Sequence, residues 1–423
     1  MFLNAKVILR SIAGAALATA LVAGAQTPAA SSSSSATPAQ TPTPSPAAQA
    51  PAPAAAAPPA PLSTFVLTGP LQWLPPAVFD AGPFGKLSVN GIITGFAVGQ
   101  NNPVPGDDTK EATLSNGEIF IQKADGKFQW YVQAGEYTMP TLGSAYLDAQ
   151  DTVKDFYGPV PVAYAKLATG KTTTWQIGAL PTLMGAESTF TYQNFDIERG
   201  LLWAQENAVN RGLQVNQAIG KYVAASFSWN DGYYSNRYSW LSGSLTFTKG
   251  PHSLAYEGMG NTDETAFQTL ATPVQNNSYM HTVIYTYTKG AWIVQPYFQY
   301  SKVPTNPNVG VVKGSSATGV ALFVSRAFKS GFALPGRFEY IATSGSLGGP
   351  DVNLLYGPGS SATSFTVTPT YQKAGFYFRT DFAVVHTMNY TPGDVFGPLG
   401  SDATQFRAVG EFGFIFGDNI VKK

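Results

Sequence analysis

The sequence predicts an all-β fold: a transmembrane up-and-down antiparallel β-barrel of about sixteen strands. Three observations carry that reading. From Lys86 to the end of the 423-residue chain, short segments are joined by connections that run tight, then long, then tight again, without a break. Charged residues make up only 12% of the chain, about half of what a soluble domain carries. After residue 25 no apolar run approaches the roughly eighteen residues that a spanning helix needs. A chain of this kind that enters a membrane does so with strands.

The elements follow in order. Lys6 and Arg10 precede the apolar stretch Ile12 to Val22 and the small-residue pattern Ala23-Gly24-Ala25, so residues 1–25 read as a secretory signal peptide cut before Gln26. A membrane anchor would need a longer run, and with no cysteine in the chain there is no lipid attachment site and no disulfide. Residues 26–61 contain only Ala, Pro, Ser, Thr and Gln, which cannot bury a core, and are expected to be a disordered or polyproline-like linker. Residues 62–85 are more apolar (Phe65, Trp73, Leu74, Phe79, Phe84) but broken by proline, and read as an irregular segment that packs inside or below the barrel. The barrel itself takes residues 86–423.

Its tight connections centre on Gly126, Gly170, Gly220, Gly250, Gly290, Gly331 and Gly375, glycine being the residue that reaches the positive φ of short hairpin turns. Between them lie loops rich in Asn, Pro, Gly and Ser at 99–113, 138–159, 182–210 and 343–363. Short turns on one rim and long loops on the other are how outer-membrane barrels are built, with short periplasmic turns and long extracellular loops. An even strand count puts both termini on the periplasmic side. Pro161, Pro296 and Pro369 fall in or at the start of strands and each removes a ladder donor, so fourteen strands is the lower count.

The period of two assigns faces. In 404–416, Phe406, Ala408, Phe412, Phe414 and Phe416 oppose Arg407 and Glu411; in 376–384, Phe376, Phe378 and Phe382 oppose Arg379 and Asp381; in 337–342, Phe338 and Tyr340 oppose Arg337 and Glu339. A charge on the lipid face at mid-depth costs about 2–4 kcal/mol, so the charged set points inward. Gln295 and Gln299 oppose Trp292 and Phe298 in the same way, as do Gln129 and Gln133 against Phe128 and Trp130. The expected lumen is therefore wet, lined by Arg337, Glu339, Arg379, Asp381, Arg407, Glu411, Gln295 and Gln299. Aromatic residues near strand ends (Trp130, Tyr131, Trp175, Trp229, Tyr233, Tyr234, Tyr238, Trp240, Trp292, Tyr297, Tyr300) suit headgroup girdles.

The third long loop, 182–210, is set apart by Glu187, Asp196, Glu198, Arg199 and Glu206, with Arg211 at its exit, and Phe195 to Ala208 reads as a short helix. Either it folds into the barrel as a constriction, its acids facing the arginines Arg337, Arg379 and Arg407 across the lumen, or Glu198 and Arg199 cap and solvate an exterior helix. The wall charges could also neutralise one another as Arg337–Glu339, Arg379–Asp381 and Arg407–Glu411.

The stretch Thr191-Tyr192-Gln193-Asn194-Phe195-Asp196-Ile197-Glu198-Arg199-Gly200-Leu201-Leu202, followed by Asn210-Arg211-Gly212-Leu213-Gln214-Val215, resembles the OmpL-like group of β-barrel porins over residues 86–423. The resemblance implies passive diffusion of small hydrophilic solutes across the outer membrane, with outer-membrane lipids and the barrel-assembly machinery as partners. A homotrimer is common at this strand count. The chain departs from the usual barrel ending, because Phe416 is followed by Gly-Asp-Asn-Ile-Val-Lys-Lys and no terminal aromatic.

Other classes find less support. Net charge is zero, with 25 basic and 25 acidic residues, which gives no field for nucleic acid. His252, His281 and His386 lie on three different strands, so neither a metal site nor a cofactor is expected. An outer-membrane hydrolase would need one of them beside a serine and an acid, and no nucleophile motif accompanies them. An adhesin or receptor barrel with a closed lumen is the remaining alternative to a porin.

Overall fold

A computed structural model describes residues 71–265 and 275–418. The expected signal peptide, the linker and residues 62–70 lie outside the described residues. The wall is one closed antiparallel sheet of sixteen strands.

In chain order the strands are β1 (Ala77–Asp80), β2 (Lys86–Gln100), β3 (Lys110–Lys123), β4 (Phe128–Tyr137), β5 (Val162–Ala168), β6 (Thr173–Pro181), β7 (Val209–Ile219), β8 (Val223–Asn230) and β9 (Trp240–Lys249). There follow β10 (His252–Asn261), β11 (Tyr279–Lys289), β12 (Trp292–Val303), β13 (Ser315–Ala327), β14 (Phe332–Thr343), β15 (Ser361–Val367), β16 (Thr370–Lys373), β17 (Phe376–Met388) and β18 (Thr404–Phe416). Each pairs with the next, except that β15 and β16 share their neighbours, and β18 closes the barrel on β2 from Arg407 opposite Gln100 to Phe416 opposite Gly91. A closed sheet has no edge to satisfy in lipid. Gly91 is required at this seam, since the Phe416 ring lies where its Cβ would stand.

Two features bring eighteen strand segments down to sixteen wall positions. β1 is a short extra strand that pairs with the start of β2, Ala77 opposite Val89, on the seam side where β18 has ended. β15 and β16 form a single wall strand, both pairing with β14 and β17, broken at Thr368-Pro369. Pro369 has no N–H to give and Pro335 faces the same break from β14, so the ladder there is carried by Thr368 N to Pro335 O, 3.0 Å, and Thr380 N to Pro369 O, 3.2 Å. Pro296 is tolerated inside β12 because the β11 register skips its position. The count of sixteen holds, and not fourteen.

All seven tight turns fall at the expected positions, but only Gly126, Gly220, Gly250, Gly290 and Gly331 have positive φ, and at the turn before β17 it is Ala374 (φ 52°) that takes the left-handed conformation; the long loops leave from the opposite rim. The face assignments also hold. Phe376, Phe378, Phe382, Phe406 and Phe412 are exposed on the outer surface, whereas Arg337, Arg379 and Arg407 are buried inside. Trp175 and Trp292 near the tight-turn rim, with Trp229 and Tyr238 near the long-loop rim, are exposed and fit two headgroup levels. Tyr131, Tyr233, Trp240 and Tyr297 do not belong to that girdle: they are buried in the lumen. Ring size favours strands on both faces, so aromatic content could not sort them. His252, His281 and His386 all face outward, against Tyr285, Tyr256 and Thr404.

The expected helix over Phe195 to Ala208 is absent; only 3-10 turns at Thr191–Gln193 and Leu202–Gln205 occur in that loop. The one α-helix among the described residues is α1 (Ala149–Asp155), in the second long loop, with Asp148 capping its N-terminus by accepting from Asp151 N.

Candidate functional site

The third long loop leaves β6 at Pro181, enters the barrel and returns at Val209. Every residue from 182 to 208 except Ala204 is buried. A loop buried in this way must find partners for its backbone groups without forming a sheet or a long helix. The wall supplies them.

Two wall carboxylates each grip consecutive amides. Asp381 accepts from Ile197 N at 2.9 Å and Glu198 N at 2.8 Å, and Glu339 accepts from Leu201 N at 2.9 Å and Leu202 N at 3.2 Å. Glu187 accepts from Gly200 N at 2.8 Å. These donors are the ones that a helix would spend on its own carbonyls, which is why the expected helix does not form. A Cβ at Gly200 would overlap the Glu339 carboxylate, which would have to shift away from the Leu201 and Leu202 amides.

Side-chain charges complete the clamp. Arg337 Nη1 donates to Glu187 Oε1 at 2.6 Å and to Glu198 O at 2.8 Å, and its Nε lies 3.3 Å from Glu339. Arg407 donates to Glu198 Oε1 at 2.6 Å, to Ser144 O at 2.5 Å and to Thr141 O at 3.1 Å, so it ties the second loop to the third. Arg379 pairs with Glu411 at 2.7 Å and donates to Asn194 O at 3.2 Å. Glu411 also accepts from Thr191 Oγ1 at 2.5 Å. The strand break at Pro369 turns Thr368 inward, where its hydroxyl lies 2.6 Å from Asp196 and 2.7 Å from Asp381.

On the other side of the barrel, Glu206 accepts from Tyr297 Oη at 2.5 Å and Gln299 Nε2 at 2.6 Å, and Glu257 accepts from Gly185 N at 2.6 Å. From β3 and β4, Asn116 donates to Thr191 and Gln133 to Tyr192. The loop thus bonds to β3, β4, β10, β12, β14, β17 and β18, strands on opposite walls, and crosses the lumen.

Burial pushes the Glu187 carboxyl up to about 7 against the pull of Arg337, and holds Glu206, whose partners are neutral, well above the usual carboxylate range. An amide of the same shape can keep both of its contacts, with the Tyr297 hydroxyl and the Gln299 amide. Substituting Glu206→Gln is expected to leave thermal stability and conductance within about 1 kcal/mol and twofold of the parent, as measured by heat-modifiability on gels and by planar-bilayer recording. Loss of folded barrel in that variant would mean that the negative charge of the Glu206 carboxylate is required.

The arrangement corrects several expectations. Acids and arginines do not face each other across water. They touch, and Arg337, Arg379, Glu339, Asp381 and Glu411 are at most 1% exposed. The pairings are Arg379–Glu411 and Arg407–Glu198, in place of Arg379–Asp381 and Arg407–Glu411, because Arg379 and Glu411 are register partners across β17 and β18. Nor is the inner wall a basic patch: Glu118, Glu257, Glu339, Asp381 and Glu411 outnumber its three arginines. Arg199 is fully buried over the Trp203 ring at 4.8 Å. Arg211 is not part of the clamp; it pairs with Asp231 at 2.8 Å and stacks on Tyr234 near the long-loop rim. Gln295 faces the lumen but bonds to Thr286, away from the loop. Glu257, Thr368 and Gly200 were not singled out from sequence. Glu257 could have been, since Ala255, Glu257 and Met259 alternate with Leu254, Tyr256 and Gly258 in the same period of two.

A model of the putative beta-barrel porin-2, OmpL-like, family matches residues 86–416. No curated protein matches the chain. Among solved structures, the chain resembles the outer membrane channel DcaP of Acinetobacter baumannii at 10% identity and a TM-score of 0.56, over 80% of this chain and 100% of that one. It also resembles the anion-selective porin from Comamonas acidovorans, at 12% identity and 0.53 over 78% and 99%, and OmpT of Vibrio cholerae, at 10% and 0.52 over 82% and 100%. At these identities the structures speak for the fold.

Proposed function

The chain belongs to the putative beta-barrel porin-2, OmpL-like, family of the outer membrane, and from that membership we propose that it is a passive porin for small hydrophilic solutes or ions, constricted by its third long loop. The observation that carries the reading is the chemistry of the loop's seat. The loop meets the wall through charge-assisted hydrogen bonds at Asp381, Glu339, Arg337 and Arg407. Buried ion pairs roughly break even against solvation. Water entering the lumen can therefore replace those bonds at little net cost, so that what keeps the loop seated is its apolar contacts, Phe195 on Phe323 and Phe190 on Tyr137 among them.

The short-turn rim, which carries both ends of the barrel, would face the periplasm. A homotrimer would give about three times the monomer mass by light scattering in detergent.

A second reading, a closed-lumen receptor or adhesin, is favoured by the same loop's reach across the barrel. Planar-bilayer recording on purified, heat-modifiable protein separates the two. Stepwise ohmic conductance is expected for the porin, and persistent silence over a wide voltage range would leave the receptor.

A further inference from the structure

We propose that residues 71–76 are a strap at the tight-turn mouth that holds the third loop shut from below, so that withdrawing the strap opens the channel. The inference rests on the porin reading.

The strap is seated in the barrel. Leu71 is buried among inward-facing residues of five strands, including Ile92, Phe120, Tyr131, Tyr377 and Ile415. Gln72 is held by a reciprocal pair, its N donating to Gln372 Oε1 and its O accepting from Gln372 Nε2, both at 2.7 Å. Asn90 Nδ2 donates to Leu74 O at 3.1 Å, and Asp418 N donates to Pro75 O at 2.7 Å. That last bond ties the chain just after Phe416 to the strap.

The strap also touches the plug. Trp73 meets Tyr192 edge-on at 5.5 Å, Tyr192 stacks on Phe190 at 5.8 Å, and Phe190 meets Tyr137 edge-on at 5.2 Å. Tyr192 and Phe190 belong to the third loop, and Tyr137 bonds to Gly158 O of the second. An aromatic column thus runs from the mouth into both lumen loops. The other contacts of Tyr192, with Gln133 and Phe120, would lose the support of Trp73 if the strap left.

The geometry also supplies a handle. The strap's own register continues into β1, which is fixed to β2 at the seam, so only its N-terminal end at Leu71 can be drawn out. The chain before it is long and, over 27–61, made only of Ala, Pro, Ser, Thr and Gln, which cannot compete for the mouth with a core of its own. Anything that binds or pulls that stretch acts on Leu71 and Trp73.

Planar-bilayer recording of the full chain tests this. Trp73→Ala is expected to raise open probability at least about tenfold, equivalent to one pairing lost from the closed state. Because the protein has no cysteine, Gln72→Cys with Gln372→Cys can be bridged by a short bis-maleimide, and the bridged protein is expected to stay closed where the unbridged one opens. A barrel with residues 186–205 replaced by a short Gly-Ser connection serves as reference. If the parent and this barrel both conduct while Trp73→Ala and the bridge leave open probability unchanged, the strap proposal is overturned and the porin reading stands. If the reference barrel is folded and silent, the porin reading itself fails.

Discussion

Replacing residues 186–205 with a short Gly-Ser connection is expected to leave a folded, heat-modifiable barrel whose conductance exceeds the parent's by at least about tenfold, because a sixteen-stranded wall without its plug encloses an aqueous channel. The wall does not depend on the loop: β18 closes on β2 over a continuous register, and every neighbouring pair is antiparallel and hydrogen-bonded. Once flooded, the lumen would be lined by five carboxylates and three arginines. The opened variant should therefore prefer cations, read as the sign of the reversal potential in a salt gradient. A parent-sized conductance would show that the loop does not obstruct the lumen. An anion preference would show that those inward acids are not ionised when wet.

The second large effect is expected at Arg337. Substituting Arg337→Met removes the donor that satisfies Glu187 and supports Glu198 O, and leaves Glu187, Glu339 and Asp196 close together without their shared cation. Removing one partner of a buried ion pair costs about 3–5 kcal/mol. The wall is too extensive to unfold for that, so the loss should appear as an unseated loop: frequent opening in bilayers, and new protease cleavage within 182–208. Adding Glu187→Gln removes one stranded charge and should recover part of the closed state. In a double-mutant cycle the two changes should couple by about 1–3 kcal/mol. Additive effects would mean that Arg337 acts on the loop through Glu198 O alone.

The wall was legible because lipid imposes a strict rule on each residue. Phe406 and Phe412 must face out and Arg407 and Glu411 must face in, with two residues per period, and a glycine marks each short turn. Those constraints act locally, so they are written locally. Loop order followed from the same rhythm, and it singled out the third loop and five of its charged residues. The helix there was misread because local propensity does not know that Asp381 and Glu339, some 140–185 residues away, will take its amides. Glu206 and Arg407 looked like members of one field, and they lie against different walls. Aromatics such as Trp240 and Tyr297 looked like girdle residues until the lumen proved to need filling.

The sequence by itself therefore determined the barrel, its strand count to within two, its two rims and the inward set of charges, since each follows from the alternation of a strand between lipid and interior. Only the tertiary structure decided what the interior contains. Which acid meets which arginine, how the third loop spends its backbone donors, and how Trp73 reaches Tyr192 are contacts between residues far apart in the chain. Their partners are chosen by closure of the barrel, which no periodicity records.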